Sequence, residues 1–225
     1  MNVLRRIAWA ALLAFVCAGA AHAQLVKGRD YKTVDPPQPV STGNKIEVVD
    51  IFWYGCPHCF HLEEPLKVWL KRKPADVEFK YFPGTFGAPA WEPLTRTYYA
   101  LEAMGVVGKY HEPLFTAIHN EHQTALITDP KAIADWLAKR GVDRQKFLDT
   151  YNSFGVTASL KRSIDLTRAY DIEGTPAIVV DGKYVTAPSM DGYVSGNRLD
   201  YDKFFKGLDQ LIAMARKERG GPAKK

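Results

Sequence analysis

The chain has 225 residues, 46% of them hydrophobic and 24% charged, with a formal net charge of +5 at neutral pH. That length suits one domain, or one domain with an insertion, and the apolar content supplies a core that needs no disulfide framework. The basic excess is mild and much of it sits in the tail RKERGGPAKK, which points away from a nucleic-acid groove.

Residues 1–23 begin with Arg5 and Arg6, continue as the apolar run IAWAALLAFVCAGA and end on AHA. A basic start, a short greasy middle and a small-x-small ending make a secretory signal peptide, with cleavage expected after Ala23. The run is too short to cross a bilayer comfortably, and no later stretch matches it. Cys17 belongs to this leader, and Val16 before it does not suit a lipid-anchored cysteine. Removing the leader and its two arginines leaves 202 residues, two cysteines and a formal charge of +3. An exported chain meets an oxidising compartment, where a single vicinal cysteine pair reads as chemistry more than scaffolding.

Residues 24–44 contain PPQP and form an extended entry segment. IEVVDIFWY (46–54) is β-rich and nearly continuous in apolar residues, which suits a central strand covered on both faces. From Cys56 the pattern turns helical, with Phe60, Leu62, Leu66, Trp69 and Leu70 on one face. Lys67, Lys71, Arg72 and Lys73 crowd its far end as a solvated complement to the helix C-terminus. VEFKYF (77–82) is a second strand. Residues 88–163 read as helices, with stops at Gly105 and Gly141 and a start at Asp129–Pro130. A further helix, SLKRSIDLTRAY, leads to GTPAIVVDGKYVTAP, a hairpin turning at Asp181–Gly182. A last helix runs from about Asp202 to Lys217. The chain thus divides into a leader (1–23), a first α/β part (24–87), a helical insertion (88–163) and a second α/β part with a basic tail (164–225).

The segment WYGCPHCFH places Cys56 where a strand gives way to a helix. Backbone N–H groups there lack intrahelical partners and carry partial positive charge, so a thiolate is stabilised. Pro57 fits the first helical turn, where its missing N–H costs nothing. Protonated His58 adds positive potential. Such surroundings bring a cysteine pKa down to roughly 3.5–7.5. A value of about 4 would stabilise the dithiol at pH 7 by roughly 4 kcal/mol, making the couple about 90 mV more oxidising. A zinc knuckle needs two further ligands, and no second CxxC is present. Haem attachment needs His directly after the second cysteine, where Phe60 stands. A structural disulfide over two intervening residues constrains little chain. Dithiol redox chemistry is the favoured reading, with metal binding as the non-enzymatic rival.

CPHC (56–59), the following FHLEE, GTPAIVVDGKY (174–184) and GRDY (28–31) together resemble the periplasmic thiol:disulfide oxidoreductase (DsbA) family across essentially the whole mature chain. The resemblance implies an α/β chain with a thioredoxin fold and an inserted helical domain. It implies that Cys56 is the exposed nucleophile, Cys59 the buried resolving partner and His58 the residue that tunes the pair. Thr175 and Pro176 would form a cis-proline loop that binds substrate backbone opposite the disulfide. Asp50 falls where the family places a buried acid that assists proton transfer at the resolving cysteine. That acid is usually Glu, so Asp50 reaches less far and calls for a water. The position before the proline is often Val, whereas Thr175 resembles relatives with reducing or isomerising roles and can donate a hydrogen bond near the sulfurs. The family further implies reduced exported proteins as substrates, a quinone-linked membrane reoxidase of the DsbB type, a periplasmic location and no cofactor, because the dithiol itself carries the electrons. No dimerisation segment is visible, and a monomer is expected.

Other residues have plainer expectations. His61 is a surface residue, and His119 and His122 lie at an exposed helix end. Glu63 and Glu64 suit an early helical turn. Phe52, Trp53, Tyr54 and Phe60 are mainly core, and Trp69, Trp91 and Trp136 serve packing.

Overall fold

A computed structural model describes residues 24–220. The expected signal peptide, residues 1–23, lies outside the described residues. No helix among those described is long and apolar enough to cross a membrane.

The central strand is β2 (Ile46–Phe52), buried at all seven positions. It pairs in parallel with β3 (Val77–Pro83) and antiparallel with β4 (Ala177–Val180). The hairpin partner β5 (Tyr184–Thr186) follows, and a two-residue strand β1 (Lys32–Thr33) closes the far edge, giving the order β1-β5-β4-β2-β3. Both faces are covered, as the largely apolar run of β2 requires. Ile46 and Val48 pack against α1 (Pro57–Arg72) and against the last helix, Tyr201–Glu218. Val49 and Ile51 face Tyr170 and Ile172 on the other side. With a two-residue repeat, Asp50 therefore points to the same side as Val48, toward α1.

Helix α1 buries Leu62, Leu66 and Trp69 along one stripe, each contributing roughly 1.5–3 kcal/mol by leaving water. It ends before Pro74, with Lys71 and Arg72 in the last turn. After β3 come α2 (Glu92–Ala103), α3 (Val107–His119), the single turn α4 (Ala125–Thr128), α5 (Pro130–Ala138), α6 (Arg144–Tyr151) and α7 (Phe154–Ala169). Asp129, Asp143 and Ser153 cap α5, α6 and α7 through side-chain oxygens that accept backbone N–H groups. The helix expected over SLKRSIDLTRAY begins earlier, at Phe154, because Ser153 caps it there. Residue 163 thus falls inside a continuous helix. The last helix, α8, spans Tyr201–Glu218, after a small hairpin of β6 (Val194–Ser195) and β7 (Arg198–Leu199).

The helices of the middle segment also dress the free edge of β3. Tyr98 Oη–H donates to the Tyr81 carbonyl at 3.3 Å, and the Ser163 hydroxyl donates to the Pro83 carbonyl. From α1's end, Lys73 Nζ donates to the Val77 carbonyl at 2.8 Å. The β4–β5 turn falls at Asp181 and Gly182, both at positive φ (57° and 64°). A Cβ on Gly182 would stand 2.1 Å from the Gln38 carbonyl oxygen, so only glycine fits.

Candidate active site

Cys56 is the N-cap of α1 and has extended backbone angles, with Pro57 in the first turn. Its own N–H is used by the Trp53 carbonyl at 2.9 Å. The turn before it is tight. Trp53 folds back over Gly55, so a Cβ there would lie 2.3 Å from the indole. The same indole stacks on Trp91 (centroids 4.4 Å, 11°) and donates Nε1–H to the Trp91 carbonyl at 3.2 Å. The helical segment thereby grips the turn that presents Cys56.

Both cysteines are free thiols, so the structure describes the dithiol form. Cys59 lies one turn into α1 at 2% exposure, and Cys56 is at 8%. Cys56 is therefore less open than the exposed nucleophile expected from sequence. It presents only an edge to solvent, although it remains the more accessible of the two. As a thiol, Cys56 Sγ–H donates to the Thr175 carbonyl at 3.4 Å. The Cys56 pKa is depressed from 9.0 to about 5. The largest lowering influence is a hydrogen bond from the Cys59 thiol, followed by Thr175 and the backbone N–H groups of Cys59 and His58. Burial opposes them. Cys59 moves the other way, pushed up chiefly by burial and by its bond to Cys56. The two sulfurs thus divide one role each, an ionised sulfur at the surface and a protonated one beneath it.

The other expected residues gather around this pair. Thr175–Pro176 is a cis peptide bond, as the resemblance implies. The Thr175 hydroxyl lowers the pKa of both sulfurs; with both cysteines as thiols it has no hydrogen-bond partner among the described residues. A cleft of about 220 Å³ opens beside the cis-proline, lined in part by Lys32, Glu173, Thr175, Pro176 and Met190. His58 has an exposed side chain. The contribution it makes to the Cys56 thiolate is through its backbone N–H. Asp50 is 2% exposed, and its Oδ1 has no hydrogen-bond partner among the described residues. Burial, then the nearby Glu63 and Cys56 charges, raise its pKa well above the usual carboxylate range. Its charge in turn raises Cys59, which places the acid within electrostatic reach of the buried sulfur.

Sequence reasoning missed the residues behind Asp50. Glu63 is not simply an early-helix acid; it is 6% exposed and faces inward from α1. It accepts a hydrogen bond from Tyr81 Oη at 3.3 Å, and its Oε1 lies 3.5 Å from His111 Nε2. His111 Nδ1 is 2.9 Å from the Tyr54 hydroxyl. His119 is not at an exposed helix end either. It is partly buried, donates Nε2–H to the Tyr54 carbonyl at 2.8 Å and stacks on Phe60 (5.0 Å, 15°). His122 is exposed, as is His61. The available signal was spacing: Glu63 sits one turn after Cys59, on the face that also carries Leu62 and Leu66.

A family model described as a DSBA-like thioredoxin domain matches residues 48–197, which is most of the chain. The chain belongs to the DsbA-like thioredoxin family. Thiol:disulfide interchange protein DsbA of Pseudomonas aeruginosa is 43% identical over 157 residues, covering 70% of this chain and 73% of that one. The DsbA of Bordetella parapertussis is 39% identical over 212 residues, covering 94% and 97%. The crystal structure of Pseudomonas aeruginosa DsbA superposes with a TM-score of 0.77 at 38% identity, over 87% of this chain and 97% of that one. Membership in the DsbA-like family makes this chain an oxidoreductase of the thiol:disulfide class with a thioredoxin fold.

Proposed function

We propose that the chain is a periplasmic disulfide donor that passes its Cys56–Cys59 disulfide to newly exported polypeptides. One observation carries the direction of transfer: the Cys56 pKa of about 5. About two pH units separate that value from neutrality, which favours the dithiol by about 60 mV before solvent screening. A couple whose reduced form is stabilised surrenders its disulfide readily.

Transfer proceeds through two thiol–disulfide exchanges. A substrate thiolate attacks Cys56 Sγ, the Cys56–Cys59 bond breaks, and Cys59 leaves with the electron pair. Cys59 takes a proton from Asp50, directly or through one water. A second substrate thiolate then attacks the substrate sulfur of the mixed disulfide and expels Cys56 as a thiolate. The substrate has lost two electrons and gained a disulfide; the enzyme holds one thiolate and one thiol. Pro57 and the backbone N–H groups of His58 and Cys59 fix and stabilise the ionised sulfur. Thr175 and Pro176 hold the substrate backbone at the mouth of the cleft. The helical insertion over 88–163 positions the turn through Trp91. A membrane-embedded, quinone-linked protein of the DsbB type reoxidises the dithiol. The leader 1–23 directs export, and the mature chain works as a monomer.

Equilibration of the mature protein with glutathione buffers tests this reading. The expected potential is more oxidising than about −180 mV, the value for protein disulfide isomerase. A potential near about −270 mV, that of thioredoxin, would assign the chain to reduction instead.

A further inference from the structure

Beneath the cysteines lies a buried set of groups that the steps above do not use. Glu63 faces Asp50 from α1, and its charge is the largest electrostatic influence on Asp50 after burial itself. His111, 7% exposed, lies on the opposite side of Glu63. Its Nδ1 lies 2.9 Å from the Tyr54 hydroxyl; in the imidazolium both ring nitrogens donate, Nδ1–H to the Tyr54 oxygen and Nε2–H toward Glu63 Oε1. At 3.5 Å that contact is long for a hydrogen bond but close enough for charge attraction, and Nε2 has no other partner among the described residues.

We propose that His111 is a positioning residue for proton transfer at Cys59: it holds Glu63 in place, and its imidazolium form offsets the Glu63 charge that Asp50 faces. This rests on Asp50 serving Cys59. When Cys59 resolves a mixed disulfide between Cys56 and glutathione, its S–H proton passes to the Asp50 carboxylate. The Cys59 thiolate then attacks Cys56 Sγ, and glutathione leaves as a thiolate with the electron pair. Asp50 can accept that proton only if it is ionised beforehand. An uncompensated Glu63 beside it opposes ionisation; a cation on the far side of Glu63 relieves it.

Each element packed against His111 presents a group to it. Tyr54 comes from the turn after β2, Glu63 from α1, Tyr81 from β3 (ring centroids 4.2 Å) and Tyr98 from α2 (6.4 Å). On its own helix, Phe115 stands between it and His119 (5.3 and 6.1 Å). Lys67, the competing cation near Glu63, is committed to Glu112 at 2.6 Å and is one-third exposed. His111 is thus the buried cation-former in contact with Glu63.

The test uses reduced mature protein mixed with glutathione disulfide, with quenched samples resolving the mixed disulfide from the closed enzyme across pH. His111→Phe keeps the aromatic packing and removes the charge. The midpoint of the closure rate against pH is expected to rise by about one unit, with about tenfold slower closure on the acid limb. The Cys56 thiolate absorbance at 240 nm should titrate as in the parent. His111→Gln, which keeps a donor without a charge and replaces the Phe variant if that one misfolds, should shift the profile equally. In a Glu63→Gln background neither His111 change should shift it further. An unmoved profile in His111→Phe, parental behaviour in His111→Gln, or a shift that persists in Glu63→Gln would each overturn the proposal. If Asp50→Asn leaves the profile intact, the role of Asp50 fails instead, and with it the ground on which this proposal stands.

Discussion

Replacing Cys59 by alanine removes the S–H group that does most to hold the Cys56 thiolate. A hydrogen bond to a charged group is worth about 1.5–3 kcal/mol. Cys56 keeps an edge toward solvent, and screening there trims the figure to roughly 1–2 kcal/mol. At about 1.4 kcal/mol per pH unit, Cys56 in Cys59→Ala should titrate about one unit higher than the parent value. The assay is thiolate absorbance at 240 nm in the dithiol parent and the single-thiol variant. The sign also fixes a stability profile. A depressed folded-state pKa stabilises the folded dithiol protein fully above the ordinary thiol value of 9.0, partly at pH 7, and not at all once pH falls through about 5. Urea midpoints of the reduced parent should therefore lose an increment between pH 7 and pH 4 that Cys59→Ala loses over a narrower, higher range. A variant that still titrates at the parent's value would show that the helix N-terminus alone holds the charge, and the reasoning would fail. One that titrates at 9 would fail it from the other side.

Thr175→Val removes the hydroxyl that faces both sulfurs, so the Cys56 pKa should rise and the glutathione equilibrium should move toward a more reducing couple. Gly55→Ala pushes a methyl into the Trp53 indole; a loss of about 1–3 kcal/mol in urea unfolding is expected, together with altered tryptophan fluorescence as the Trp53–Trp91 stack opens. Arg219 holds the buried Asp181 through Nε at 2.9 Å and through Nη2. Arg219→Ala should therefore cost about 2–4 kcal/mol, read as a lower urea midpoint, with no change in the Cys56 titration.

Local chemistry wrote the readable parts of this molecule. The cysteine pair, Pro57 and the Asp181–Gly182 turn each impose a geometry within a few residues, and the structure places them at an N-cap and at a positive-φ turn. The nearly continuous apolar run of β2 announced a strand covered on both faces, and it is one. The hydroxyl of Ser153 could have been recognised as a cap, which would have extended α7 back to Phe154. The polar network behind the sulfurs was not legible in the same way. Glu63 meets His111, and His119 meets the Tyr54 carbonyl, only because α3 docks against α1 and the Tyr54 turn, and nothing in the spacing of these residues along the chain encodes that docking. β1 has two residues and exists because β5 offers it an edge, so no periodicity could reveal it.

The trimming of β3's outer rim bears on how a protein with the proposed function would handle unfolded clients. A chain that meets extended polypeptide all day is in danger of recruiting it as an extra strand, and an unguarded sheet border is the natural template. Here three carbonyls on that border already have side-chain donors, from Lys73, Tyr98 and Ser163, and Pro83 has no N–H to offer. In the proposed function, clients dock instead on the cis-proline side, within reach of the sulfurs, where they exchange bonds and depart without accumulating along the sheet.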